Sequence, residues 1–179
     1  MKQMINPRGL VCLLDMDGVI ADFTGGYFST ILKEPLPQTI LWDHVKPQDW
    51  KKMGEEFWAN LKPTLEMFDI ISTVEETFGQ ENTCLLSSPC LTYGCLEGKM
   101  AWIRRYLPKY SRQFLFGPRK RFCAHARAVL IDDYDKNIDG FVSAGGQGVL
   151  IPRSWNRDAA RPMSEALADI QRYGMPGEA

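Results

Sequence analysis

The feature that most constrains the fold is a series of short apolar runs, each of which ends in polar residues. The run GLVCLLD (9–15) ends in an aspartate, NTCLLSSP (82–89) leads into two serines, and ARAVLIDD (126–133) ends in two aspartates. Continuous apolar runs of this length are typical of strands that are buried on both faces of a parallel sheet. The sequence therefore predicts a buried sheet with polar side chains at the ends of its strands.

Segments with helical spacing alternate with these runs. Residues 64–78, 96–107 and 158–174 have the apolar spacing of amphipathic helices. Residues 112–117 and 147–152 are short apolar runs that predict two more strands. Strands that alternate with helices indicate an α/β fold, with an open, doubly wound parallel sheet and helices on both of its faces.

One segment breaks the alternation. Between residues 24 and 63, prolines and large aromatic residues replace the regular pattern. This composition predicts a small helical cap inserted after the first strand, with residues 1–23 and 64–179 forming the α/β core. A chain of 179 residues is otherwise typical of one domain with a sizeable core.

Composition and charge exclude several classes of partner. The formal net charge is -1, which creates no field that would attract a nucleic acid polymer or an anionic membrane. Five cysteines without paired C-x-x-C spacing predict free thiols in a reducing compartment. With no apolar leader and no long apolar run, we expect a cytoplasmic protein. The oligomeric state stays open, and a homodimer is among the possible assemblies.

The strand ends predict a metal and phosphate site. In a parallel sheet the carboxyl ends of the strands lie along one edge, where ligands bind. The polar residues that this edge would collect are Asp15, Asp17, Ser87, Ser88, Asp132 and Asp133. Four carboxylates are stable together only if a cation neutralises them, and oxygen ligands without histidine favour Mg²⁺. The serine hydroxyls and a lysine could then bind a dianionic phosphate.

These residues carry a resemblance to a known family. DMDGVIADF resembles the first motif of the haloacid dehalogenase-like (HAD) hydrolases, LLSSP the second and LIDDYDKNI the fourth. The order of FWANLKP, SSP, EGKMAWIRRYLP and LIDD is similar to that in one branch, the 5'(3')-deoxyribonucleotidases. The similarity covers roughly residues 9–155. It implies a Rossmann-like HAD core with a small helical cap.

The resemblance implies a role for each aspartate. Asp15 matches the nucleophile that forms an aspartyl-phosphate, and Asp17 matches the acid and base that protonates the leaving oxygen and then activates water. Asp15, the backbone carbonyl of Asp17 and Asp133 match the ligands of Mg²⁺. Alternation along the strand predicts that only one of Asp132 and Asp133 points at the ion. Asp22 is expected to be structural.

The phosphate-binding residues follow from the same resemblance. Ser87 matches the motif's hydroxyl, and Ser88 could add a second contact. Lys120, in the segment GPRKRF, is chosen as the phosphate-binding lysine. Lys99 is the alternative, although its place on a predicted helix is equally consistent with an exposed side chain.

Aromatic residues suggest how a substrate is selected. Phe23 matches an aromatic residue that contacts the base, and the cap offers Trp42, Phe57 and Trp58 for stacking. The same residues would also suit the core of a small helical insertion, so this alternative stays open.

The sequence thus predicts a magnesium-dependent phosphatase that converts (deoxy)ribonucleoside monophosphates into nucleoside and phosphate. A phosphatase of another small ester, such as a sugar phosphate, is the nearest alternative. A binding protein that keeps the fold without catalysis is the alternative outside enzymes, and the presence of both Asp15 and Asp17 argues against it.

Overall fold

Five parallel strands form the centre of the structure. The computed structural model describes residues 6, 8–38, 40, 44–117 and 119–175. The strands run in the order β3-β2-β1-β4-β5 across one sheet, and each neighbouring pair is parallel. Their bounds are β1 Val11–Leu14, β2 Thr83–Ser87, β3 Phe114–Phe116, β4 Ala128–Asp132 and β5 Gln147–Leu150. The predicted α/β sheet is confirmed.

The strands are apolar on both faces because both faces are covered. In β1, Cys12 and Leu14 belong to a large hydrophobic cluster on one face, whereas Leu13 belongs to a smaller cluster on the other. β4 alternates in the same way, with Ile131 in the large cluster and Leu130 in the small one. Side chains alternate along a strand, so a run such as VCLL must be apolar throughout to fill both layers.

Four helices of nine residues or more form the outer layers in the described part of the chain. Their bounds are α3 Met67–Phe78, α4 Cys95–Tyr106, α5 Asp135–Ser143 and α6 Met163–Arg172. α3, α4 and α6 contribute Val74, Trp102 and Ile170 to the large cluster, while α5 contributes Ile138 and Phe141 to the small one. Helices therefore cover both faces, as predicted.

A helical insertion follows β1. It contains α1 (Phe23–Gly26), a wider π-helical turn (Tyr27–Leu32), a 3-10 helix (Pro47–Lys52) and α2 (Glu55–Ala59). Tyr27 and Trp58 are buried in the same large cluster as the core helices. The helical insertion is thus present, and its division from the core at residues 24–63 stays a prediction.

Three helices differ from the sequence prediction, and the first of them, α3, begins at Met67 instead of residue 64. α6 begins at Met163 instead of residue 158, because Pro162 precedes it with an extended backbone (φ -67°, ψ 143°). α5 was not predicted, since its apolar face rests mainly on Ile138 and Phe141 among acidic and polar residues. α5 begins beside the acidic edge of the sheet, where its Asn137 donates to Asp132.

Among the residues that the structure describes, no helix is both long and apolar enough to cross a membrane. The five cysteines are free.

Candidate active site

A tight loop at the end of β1 brings Asp15 and Asp17 to the edge of the sheet. The amide of Asp15 still donates to the Ile131 carbonyl at 2.9 Å, so this residue continues the pairing of β1 with β4. The Met16 carbonyl then accepts three amides, those of residues 19–21, at 2.8 to 3.2 Å. This turn places both carboxyl groups in the lining of one cavity.

Lys120 joins the ends of two strands. It lies in the short 3-10 helix Lys120–Cys123 and is buried. Its Nζ is 2.5 Å from Oδ1 of Asp15 and 2.6 Å from Oδ2 of Asp132. A buried lysine is stable only when its charge is compensated, so it needs these two carboxylates.

Asp132 and Asp133 both reach the site. Oxygen atoms of these two residues and of Asp15 all lie within 4.8 Å of one another. Alternation along the strand thus does not keep the two side chains apart, and the expectation that only one of them points at the ion stays a prediction. β4 ends at Asp132, so Asp133 already lies beyond the strand and no longer follows its alternation. The Asp17 side chain is not part of this group, and the proposed ligand there is a backbone carbonyl.

The two neighbouring aspartates have different partners. Oδ1 of Asp132 accepts from the Tyr134 amide at 2.9 Å, and Asn137 donates to both of its oxygens, at 3.3 and 3.1 Å. Asp133 instead accepts the indole N–H of Trp155 on Oδ2 at 2.7 Å. Both oxygens of Asp132 thus have partners, Lys120 among them. For Asp133, the hydrogen bond is the one from the indole to Oδ2.

Burial and mutual repulsion change the titration of this cluster. Burial raises the pKa of Asp15 to about 7, and the charges of Asp132 and Asp17 add to the rise while Lys120 opposes it. Burial, followed by the charges of Asp132 and Asp15, also raises the pKa of Asp133. Burial lowers the pKa of Lys120, but the two aspartates outweigh this effect and raise it. A cation among these carboxylates would favour their charged forms.

Lys99 is buried in the site, contrary to the interpretation of an exposed helix residue. Only 1% of it is exposed. Its Nζ forms an ion pair with Oδ2 of Asp17, donates to the Ser87 hydroxyl at 2.9 Å and lies 4.6 Å from the centre of a Trp58 ring. α4 can approach α2 this closely because a Cβ on Gly98 would lie 2.4 Å from the Glu55 carbonyl. The structure therefore brings both candidate lysines to the site.

The two serines occupy different depths. Ser87, the last residue of β2, is fully buried and meets Lys99. Ser88 lines the cavity and donates to the Gly117 carbonyl at 3.1 Å. Oδ1 of Asp17 is buried and has no hydrogen-bond partner among the described residues. One oxygen of an aspartate that lines the cavity thus has no hydrogen-bond partner in the described part of the protein.

An aromatic wall lines part of the same cavity, which has a volume of about 440 Å³. Its rings are Phe23, His44, Trp50, Trp58 and Trp155. Phe23 is nearly parallel to Trp50 at 5.9 Å and to Trp58 at 5.4 Å between ring centres. A cavity of this size suits a small-molecule ligand.

The aromatic residues predicted from the sequence were expected either to contact the substrate or to form the core of the helical insertion, and the structure contains both kinds. Phe23 lines the cavity, Trp58 both lines it and packs in the hydrophobic cluster with 2% of it exposed, and Phe57 packs in that cluster without lining the cavity. Trp42 lies outside the described residues. Asp22 is structural, as expected, because its side chain caps α1 by accepting from the Gly25 amide at 2.9 Å.

Comparisons with known proteins give a fold and no closer relationship. No known family profile matches the chain, and no curated protein matches it significantly. A haloacid dehalogenase-like family hydrolase from Streptococcus pneumoniae is 13% identical, with 90% of each chain covered and a TM-score of 0.54. A HAD family hydrolase from Deinococcus radiodurans, whose structure contains phosphate and sodium, is 12% identical, with 92% of this chain and 87% of that chain covered and a TM-score of 0.50.

The chain therefore has the α/β fold of the HAD-like hydrolases. Identities this low establish the fold alone, and a fold does not determine an activity. The similarity to the deoxyribonucleotidase branch rests on the sequence motifs and has no support from these comparisons.

Proposed function

We propose that this protein is a magnesium-dependent phosphatase that hydrolyses nucleoside monophosphates, deoxyribonucleotides in particular, to nucleoside and phosphate. The observation that carries the proposal is the position of Asp15, which lies in the lining of a cavity with a buried lysine on its carboxylate. Aspartates are used as nucleophiles in phosphoryl transfer, where they form an aspartyl-phosphate. The remaining residues at the edge of the sheet fit the other requirements of that reaction.

Asp15 would attack phosphorus in line with the leaving ester oxygen. One carboxylate oxygen forms the new bond to phosphorus while the phosphorus–oxygen ester bond breaks. The Lys120 Nζ at 2.5 Å holds the other side of the same carboxylate and keeps it oriented. Water then attacks the aspartyl-phosphate, which restores Asp15 and releases phosphate.

Asp17 would handle the proton. Its Oδ2 is held by Lys99, and its Oδ1 has no hydrogen-bond partner in the described part of the protein. That oxygen can deliver a proton to the leaving oxygen of the substrate and later accept one from the attacking water. The ion pair with Lys99 would fix the orientation of the carboxyl group between the two steps.

Asp15 and Asp133, with the backbone carbonyl of Asp17, would hold Mg²⁺. The three clustered carboxylates provide only hard oxygen ligands, and burial makes their joint ionisation unfavourable without a cation. When bound, the ion supplies positive charge that neutralises the phosphate and the attacking carboxylate. Asp132, with Lys120, Asn137 and the Tyr134 amide on its oxygens, would orient Lys120 instead.

Phosphate would bind between the serines and the two lysines. Ser88 lies in the cavity lining, and Ser87 reaches the same region through its contact with Lys99. Lys120 lines the cavity as well. Two buried ammonium groups offset part of the negative charge of the aspartates at this end of the cavity, and the bound cation would supply the further positive charge that a dianionic phosphate requires.

The aromatic wall supports a nucleobase as the other half of the substrate. Phe23 and Trp155, which are both partly exposed, line the cavity that holds the acidic cluster. Stacking on such rings stabilises a planar base at about 1–3 kcal/mol per base. A sugar phosphate would use the same catalytic groups and gain little from these rings.

A measurement of phosphate release by the purified protein tests the proposal. The substrates are nucleoside 5'- and 3'-monophosphates, sugar phosphates and p-nitrophenyl phosphate, each with Mg²⁺ and with a chelator. We expect magnesium-dependent release with the highest kcat/KM on nucleotides. Release that is highest on sugar phosphates would reject the nucleotide assignment, and no release from any ester would reject the phosphatase.

A further inference from the structure

Trp155 is the residue outside the predicted motifs that contacts the acidic cluster most directly. It follows β5, and its indole lines the cavity. The Nε1–H donates to Oδ2 of Asp133 at 2.7 Å. An indole nitrogen can only donate a hydrogen bond, so it orients a carboxylate without competing for a cation.

The surroundings of Asp133 leave its carboxylate little freedom. The Asn156 amide group donates to the backbone carbonyls of Asp133 and Ile151, each at 2.8 Å, which ties the end of β4 to the end of β5. A Cβ at Gly18, where φ is +77°, would lie 2.2 Å from Oδ2 of Asp133. Oδ2 is therefore enclosed between a glycine and the Trp155 indole.

Trp155 also faces the helical insertion. The centre of its ring lies 6.3 Å from that of His44, at an angle of 38°. His44 in turn lies 6.4 Å from Phe23 across the same cavity. One side chain thus contacts an acidic residue of the cluster and also forms part of the aromatic wall.

We propose that Trp155 is a positioning residue for Asp133, whose indole N–H fixes Oδ2 and leaves Oδ1 to coordinate Mg²⁺. This inference rests on the proposed function, because it assigns the metal to Asp133. Hydrogen bonds to the ligands of a metal commonly change its affinity about 10–100-fold. Loss of the N–H should therefore weaken Mg²⁺ binding while the aromatic surface of the cavity remains.

The decisive variant is Trp155→Phe, which keeps an aromatic ring and removes the donor. Trp102→Phe is the control, because the indole of Trp102 likewise donates a hydrogen bond, to the Leu61 carbonyl at 2.9 Å, but Trp102 is buried in the core and does not line the cavity. Isothermal titration calorimetry of each protein with MgCl₂ measures the affinity without any turnover. Thermal melting of both variants shows whether they are folded.

We expect the Kd for Mg²⁺ to rise at least about 10-fold in Trp155→Phe and to stay unchanged in Trp102→Phe. In kinetics with p-nitrophenyl phosphate, the Mg²⁺ concentration for half-maximal rate should rise, and kcat should recover at saturating Mg²⁺. A purely structural role would lower thermal stability without changing the Kd. If Trp155→Phe does not fold, Trp155→Tyr takes its place, because its hydroxyl lies at a different position from the indole N–H.

An unchanged Mg²⁺ affinity in a folded Trp155 variant overturns the inference, as does a wild-type protein that binds no Mg²⁺. The proposed function fails in a different way. A protein that binds Mg²⁺ through Trp155 and Asp133 but releases no phosphate from any ester would keep this inference and reject the phosphatase.

Discussion

The Nζ of Lys120 lies 2.5 Å from Oδ1 of Asp15, and neither side chain is more than 8% exposed. The same ammonium contacts Asp132 at 2.6 Å. One buried cation therefore links the proposed nucleophile, directly after β1, to the acidic end of β4.

Replacing Lys120 with methionine should destabilise the metal-free protein strongly. The change keeps an unbranched side chain that is one atom shorter and leaves two buried carboxylates without their cation, which typically costs about 3–5 kcal/mol. Urea denaturation measures the loss. Lys109→Met is the control, because its pair with Glu75 is partly exposed (44% and 25%) and should contribute about 1 kcal/mol at most. If both variants lose the same free energy of unfolding, the buried ion pairs of Lys120 contribute no more than an exposed pair, which contradicts the prediction.

Lys99→Met should lower the phosphatase activity by a larger proportion than the free energy of unfolding. Lys99 contacts both Asp17 and Ser87, so its loss removes a charge from the proposed phosphate site and releases the proposed acid. We expect kcat/KM for p-nitrophenyl phosphate to fall about 10²-fold or more. Arg105→Met, on the same helix but bonded at the surface to Ala59 and Asn60, should keep normal kinetics. A Lys99→Met enzyme with wild-type kcat/KM would remove Lys99 from the site.

The stability of the metal-free protein should fall as the pH rises from about 4 to about 7. In the unfolded chain Asp15 loses its proton near its ordinary pKa of 3.8, whereas burial holds the folded pKa at about 7. Between these values the folded state binds more protons, so the free energy of unfolding decreases with pH. The raised pKa of Asp133 acts in the same direction.

Thermal melting in EDTA from pH 4 to 8 measures this dependence. Asp15→Asn should reduce the slope, and Mg²⁺ should raise Tm most above pH 7, where the carboxylates are charged. A melting temperature that rises steadily through this range, with the same slope in Asp15→Asn, would contradict the assignment.

Cys90 should be the most reactive thiol of the protein. A hydrogen bond with Cys95, aided by Thr92, lowers the pKa of Cys90 to about 6 against the effect of burial. Burial instead raises the pKa of Cys84 to about 11. Thiolates react with alkylating agents and thiols do not, so at pH 7 iodoacetamide should label Cys90 first.

Peptide mass spectrometry after short labelling identifies the modified residue. Cys90 lines the cavity, so inorganic phosphate with Mg²⁺ should slow its labelling if it fills the site. Cys90→Ser should remove the fast phase. Faster labelling of Cys84 than of Cys90 would contradict this account of the two thiols.

Much of the fold could be predicted from local sequence. Runs such as VCLL and AVLID are apolar at every position, and only a strand covered on both sides needs this pattern. The acidic edge of the sheet could be predicted from these strands, because parallel strands place their carboxyl ends together. α5 escaped prediction because its buried face has few apolar residues among polar ones.

The site residues that directly follow strands could be predicted from the sequence. Those that reach the site through packing between distant segments could not. Lys99 has the spacing of an exposed helix residue, and it is buried only because Gly98 lets α2 approach α4. Trp155 and His44 lie in irregular segments with no periodic signal, and they meet only in the folded protein. The one local signal for Trp155 is that a tryptophan follows shortly after the last predicted strand.

The central claim is that Asp15 forms a covalent bond to phosphorus. Rapid acid quenching of the Mg²⁺-loaded enzyme with a ³²P-labelled nucleoside monophosphate, followed by peptide mapping, tests it directly. We predict hydroxylamine-sensitive label on the peptide that contains Asp15 and no label in Asp15→Asn. Label on a different residue, or an Asp15→Asn enzyme that turns over at the wild-type rate, would contradict the account.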